Sequence, residues 1–133
     1  MATYTLEKLP DEPIILVFTE ANHDIRQSRL QYYAEMMNLL DAQKEKVFLV
    51  LDISASNFTM DDLIQGATIV TRQFKMLEHR NVRETLIVTQ SRIVKMAAQG
   101  LNSPLFGEIS VVVFDTRVAA LVYARSQVPS ALS

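Results

Sequence analysis

Four short apolar runs constrain this chain more than any other feature. They are Ile14-Ile-Leu-Val-Phe-Thr19, Val47-Phe-Leu-Val-Leu-Asp52-Ile53, Thr85-Leu-Ile-Val-Thr89 and Glu108-Ile-Ser-Val-Val-Val-Phe114. Each is too short for an ordinary helix. Their cores are continuous rather than alternating, the pattern of a strand buried on both faces in a largely parallel sheet. None approaches the roughly 20 apolar residues needed to span a bilayer. The start, Met1-Ala-Thr-Tyr-Thr-Leu-Glu-Lys8, has no apolar segment of the secretory kind. A soluble, cytoplasmic protein is the expectation.

The segments between the runs carry helical spacing. Leu30, Tyr33, Met37 and Leu40 recur at three- and four-residue steps and predict a helix from Asp24 to about Gln43 with that face inward. Tyr32 and Met36 then point partly away. With Leu39 they are candidates for an apolar pocket or a subunit contact. Met60, Leu63, Ala67, Val70, Phe74 and Leu77 step regularly and predict a second helix, ending around Glu78 to Arg80. A short helix follows from Ser91 to Leu101, before Asn102-Ser-Pro104. The last begins after Asp115, with Val118, Leu121 and Val122 expected inward. Asp24, Thr59, Ser91 and Asp115 stand where these helices need N-caps.

Thr3 to Leu9 alternates and reads as a strand with one wet face. Pro10-Asp-Glu-Pro13 is a turn, so this strand and the next form an antiparallel hairpin. The element order is ββαβαβαβα. That predicts a single α/β domain, with a mixed, mostly parallel five-strand sheet covered by four helices. The ordered part is expected over about residues 3 to 126, with a frayed tail over 127–133.

Composition removes several kinds of site. There is no cysteine, and the three glycines are Gly66, Gly100 and Gly107. Disulfides, zinc thiolates and glycine-rich phosphate loops are excluded. A formal net charge of −2 offers no footprint for nucleic acid. What chemistry remains is gathered where the parallel strands end, since ligands of open α/β sheets collect there. That rim holds Glu20, Asn22, His23 and Asp24; Asp52, Ser54, Ser56, Thr59, Asp61 and Asp62; Thr89, Gln90, Ser91 and Arg92; and Asp115, Thr116 and Arg117. Ser54 or Ser56 with His23 and Asp52 would supply the residue types of a hydrolytic triad, but no nucleophile elbow is present. Asp52, Asp61 and Asp62 would supply carboxylates for magnesium, although the last two also match a helix N-terminus. His23 and His79 have no partner at ligand spacing, so neither metal nor cofactor is expected. Arg72, Lys75, His79, Arg80 and Arg83 form a basic cluster that reads as a solvated face.

Two segments carry a resemblance. Val47-Phe-Leu-Val-Leu-Asp52-Ile-Ser54 is similar to the central strand and following loop of STAS domains, in their SpoIIAA-like branch. Val111-Val-Val-Phe114-Asp115-Thr-Arg-Val-Ala119-Ala120-Leu121-Val-Tyr123-Ala124 is similar to that branch's closing strand and helix. The resemblance implies an anti-sigma factor antagonist-like fold and a non-catalytic regulatory or protein-interaction role. The loop of those antagonists reads like D-x-S…D-S-S-G, with the phosphorylated serine at the start of the next helix. Asp52-Ile-Ser54 matches its beginning. Met60-Asp61-Asp62-Leu63 departs from the rest, having neither the serine nor the glycine. The candidate partner or phospho-regulation loop is thus Asp52, Ser54, Ser56, Thr59, Asp61 and Asp62. A protein partner is expected, with a homodimer as a further possibility. The alternative is a binding or sensing protein for a small apolar ligand or a nucleotide.

Overall fold

The computed structural model describes residues 4–20, 25–55, 61, 79–100 and 110–127, apart from the side chains of 25–30 and 32. The described elements are β1 (Tyr4–Lys8), β2 (Ile14–Thr19), α1 (Ile25–Asp41), β3 (Val47–Asp52), β4 (Val82–Val88), α2 (Arg92–Gly100), β5 (Val111–Phe114) and α3 (Arg117–Gln127). The helix expected over residues 60–77 lies outside the described residues, Asp61 excepted.

The five strands lie in sequence order, β1-β2-β3-β4-β5. β1 and β2 are antiparallel, and every later pair is parallel. The hairpin turn closes through Leu9 and Ile14, with the amide of Leu9 donating to the carbonyl of Ile14 at 3.0 Å. Asp11 takes a φ of 60° there, a left-handed conformation that aspartate tolerates better than most side chains.

Strand order explains where the helices go. Right-handed crossovers between strands laid down in sequence place α1 and α2 on the same face. Tyr33, Met36 and Leu40 of α1 and Ala98 of α2 accordingly share one core with Ile15, Val17, Val47, Leu49, Ile87 and Val111. The other face carries Ile14, Phe48, Val50, Leu86 and Val88. It packs against Ala120 and Ala124 of α3, the helix that follows the last strand.

Two helix orientations and one strand boundary differ from expectation. Met36 is 1% exposed and belongs to the core, while Met37 is only half-buried. Positions 33, 36 and 40 and positions 33, 37 and 40 are both acceptable helical stripes, and the sheet lies on the Met36 side. A side chain so enclosed offers no surface to a second subunit. Val118 and Val122 are 71% and 60% exposed, and the inward positions are Ala120 and Ala124. The helix is apolar all round, so its period did not choose a face. The two alanines let it approach the sheet closely. Strand β4 also begins three residues earlier than its apolar run. A bulge opposite Val47 and Phe48 inserts Arg83, whose guanidinium sits 5.1 Å from the Phe48 ring centroid.

Candidate functional site

β3 ends on Asp52 at the rim where the parallel strands finish. Alternation along β3 turns its side chain toward the α3 face with Phe48 and Val50. Asp52 is 3% exposed, and a carboxylate so enclosed needs partners for both oxygens. Oδ1 accepts from the Ser54 amide at 3.1 Å and from the Ser54 hydroxyl at 2.6 Å. Oδ2 accepts from Nε of Arg117 at 2.8 Å. The Arg117 guanidinium also lies 5.1 Å from the Phe18 ring centroid, at the end of β2. One carboxylate therefore binds the end of β3, the first residues of the next loop and the first residue of α3, beside β2.

Arg117 is the partner that residue-level reasoning did not assign. A signal for it exists. A cation in the first turn of a helix opposes the helix dipole, so an arginine there points to a specific anion nearby. Charge-assisted bonds of this kind are the stronger class of hydrogen bond.

The neighbouring turn is organised by caps. Ser91 caps α2 as expected, its Oγ accepting the Val94 amide at 3.3 Å. Thr89 Oγ1 accepts the Ser91 amide at 3.1 Å. The cap of α3 is Thr116 rather than Asp115. Thr116 Oγ1 accepts the Ala119 amide at 3.1 Å. Asp115 is drawn away by Lys95, whose Nζ stands 2.5 Å from Oδ1. That ion pair links α2 to the end of β5. Both residues offer a capping oxygen, and the ammonium across the rim decides between them.

Asp52 and Asp115 are already engaged within the chain by these contacts. Asp52 meets Ser54 directly and is paired with Arg117, so it is not arranged to orient a histidine between them. A guanidinium on the carboxylate also disfavours a cation there. Among the described residues, no group of three metal-ligating side chains gathers. Asp61 is exposed. His23, Asp24, Ser56, Thr59 and Asp62 lie outside the described residues, as do Arg72 and Lys75 of the basic cluster.

His79 does not stand on a solvated face. Its Nε2 lies 2.6 Å from Oδ1 of Asp41 at the end of α1. Its Nδ1 accepts the Asn81 amide at 3.0 Å, which leaves Nε2 as the protonated nitrogen that donates to Asp41. Asn81 Nδ2 donates to the carbonyls of Leu40 and Gln43 at 2.9 and 3.1 Å. Together they satisfy the C-terminal end of α1. Of the apolar candidates, Leu39 is half-buried against the α1 core, Met36 fills it, and the Tyr32 side chain lies outside the description.

Among the described residues, no helix is long and apolar enough to cross a membrane. No protein-family model matches the chain, and no curated protein sequence is significantly similar to it. Two solved structures share its architecture. An anti-sigma factor antagonist from Mycobacterium paratuberculosis superposes with a TM-score of 0.59 at 17% identity, over 92% of this chain and 93% of that one. An uncharacterized protein of the DUF3478 family with a SpoIIAA-like fold, from Shewanella loihica, gives a TM-score of 0.54 at 13% identity, over 91% of each chain. Five strands of this order, with α1 and α2 on one face and α3 on the other, give the chain a SpoIIAA-like fold.

Proposed function

We propose that this chain is a non-catalytic regulatory module that binds another protein through the loop leaving β3, residues 54–62. The observation that carries the reading is the use of Asp52. Its two oxygens hold Ser54 and Arg117, so the most enclosed acid among the described rim residues anchors the start of a loop instead of presenting a reactive group. A loop whose exit is fixed at Ser54 beside the capped start of α3 enters a docking contact at a lower ordering cost. Likeness in fold to an anti-sigma factor antagonist supports the same reading.

Within this reading, Ser54, Ser56 and Thr59 are the hydroxyls open to phosphorylation, and Asp61 and Asp62 supply fixed negative charge. A phosphate on Ser54 would replace its bond to Asp52 and place new charge beside Arg117. The test compares wild-type chain with Asp61→Lys as bait in extract from the native cell. The expected result is a protein captured by the wild type and lost with the variant, whose circular dichroism shows the fold retained. Turnover of a metabolite by purified protein, with capture indifferent to the loop substitution, overturns the reading.

A further inference from the structure

Helix α3 meets the sheet with its smallest side chains. Only Ala120 and Ala124 of the helix are fully buried, while the larger Val118 and Val122 face water. Each alanine brings one methyl group, so the helix buries little apolar surface of its own. Helix α1 does the opposite and plants Tyr33, Met36 and Leu40 in the core of the other face. What lies under α3 is large: Ile14, Phe48, Val50, Leu86 and Val88, none more than 1% exposed.

Polar clasps fix where α3 lies. Nε of Arg117 donates to Asp52 at the end of β3 at 2.8 Å. The Tyr123 hydroxyl donates to Oε1 of Glu84 on β4 at 2.6 Å, and the Ser110 hydroxyl donates to the other oxygen at 2.7 Å. Nε and Nη2 of Arg125 donate to the two oxygens of Glu12, in the turn between β1 and β2, at 2.6 and 3.2 Å. Three carboxylates from three parts of the sheet thus set the helix's position. Arg117 and Arg125 keep 40% and 52% of their side-chain surface. Bonds of this kind specify geometry but contribute little net stability where water competes for the donor.

The core is divided along the same line. The side chains under α3 form one cluster and those under α1 and α2 another, with the sheet between them. α3 follows the last strand, and no strand comes after it among the described residues. Its departure breaks no strand pairing and leaves the cluster under α1 in place. Cooperative units of this sort open below the free energy of global unfolding.

We propose that α3 is a releasable latch, which lifts as a unit and uncovers the floor of Ile14, Phe48, Val50, Leu86 and Val88 while the sheet and its α1 side stay folded. The device is a property of the chain alone and stands whether or not the loop after β3 binds a partner. It reaches that loop all the same. Arg117 leaves with α3, and it shares Asp52 with Ser54.

The chain has no cysteine, so a single introduced thiol reports the opening. Val47 and Val50 lie on the same strand, both 0% exposed, in the clusters on opposite faces. Val50→Cys and Val47→Cys are the same chemical change on the two sides. Under native conditions, with a small thiol reagent, Val50→Cys is expected to label roughly tenfold faster or more, once each rate is corrected for that variant's global stability in urea. Its rate should rise with urea along a slope well below the one for global unfolding, because releasing one helix exposes less surface. Hydrogen exchange of the unsubstituted chain supplies the second measurement. The amides of Leu121 to Ala124 should exchange together, roughly tenfold faster than those of Val50 and Leu86. Equal labelling at the two positions, a Val50→Cys rate with the urea slope of global unfolding, or α3 amides protected as well as the strand amides overturns the proposal.

Discussion

Arg117 reaches across 65 positions of sequence to donate from Nε to Oδ2 of Asp52, joining the first residue of α3 to the last residue of β3. The two ends of this bond are unequally enclosed. Arg117 keeps 40% of its side-chain surface, against 4% for Asp52. Loss of the arginine therefore strands a buried carboxylate, whereas loss of the aspartate releases a cation to water. Arg117→Ala is expected to cost about 2–3 kcal/mol, less than a fully buried pair because water screens the guanidinium. Asp52→Ala should cost less, and Arg117→Lys should recover little, since a lysine lacks the planar fork that reaches Asp52 while stacking on Phe18. Urea unfolding midpoints at constant m rank the three variants. Equal losses for Arg117→Ala and Asp52→Ala would contradict the asymmetry.

Asn81 performs for α1 what a C-cap usually does from within the helix. Its side-chain amide serves the carbonyls of Leu40 and Gln43, and its own carbonyl accepts the Val47 amide at 2.7 Å. Asn81→Ala is expected to cost about 1 kcal/mol, because the Gln43 carbonyl loses the Asn81 donor while the Leu40 carbonyl keeps the Gln43 amide at 3.1 Å. Asn81→Asp should cost more, because a carboxylate would face the negative end of the helix. Hydrogen exchange should show the last turn of α1 losing protection before the strands do.

The parts of this fold that sequence reveals are those in which one local signal has one solution. Ile14 to Thr19 is apolar without interruption and bounded by Pro13, and the strand has those limits. The hairpin follows from two prolines three residues apart, and the cap at Ser91 from its place before a periodic segment. Signals with two solutions are decided by partners far along the chain. Met36 and Met37 are equally helical, and only the position of the sheet separates them. Asp115 and Thr116 are both capping residues, and Lys95 takes the first. The bond between Asp52 and Arg117 has no local signature beyond a cation at an unfavourable helix end. The candidate loop was legible only through its first residues, because its role depends on what Asp52 touches.

Three phenols are held protonated by the fold. Burial and a hydrogen bond to Glu35 push Tyr4 up to about 12. Burial raises Tyr33, and donation to Glu84 at 2.6 Å, with burial, raises Tyr123. In the unfolded chain each titrates near 10. A raised folded-state value means the folded chain holds these protons more tightly. The resulting stability is whole below about pH 10 and is lost as pH climbs through the folded values. Absorbance near 295 nm at about pH 10.5 should show the folded chain less than half as ionised as the same chain in urea. Coincident titration curves would show that the phenols are free.

The assignment of the inner and outer sides of α3 has its own test in stability. Ala120 and Ala124 are fully enclosed against Phe48, Val50, Leu86 and Val88. Added methylenes there have no room, so Ala120→Leu and Ala124→Leu should each cost about 1–3 kcal/mol by lifting the helix from the sheet. Val118→Ala and Val122→Ala remove atoms that are already mostly in water. Each should stay within about 0.5 kcal/mol of wild type. If α3 were turned as its valine spacing suggests, the pattern would reverse, with the alanine positions tolerant and the valine positions costly. Thermal unfolding of these four variants at low concentration distinguishes the two orientations.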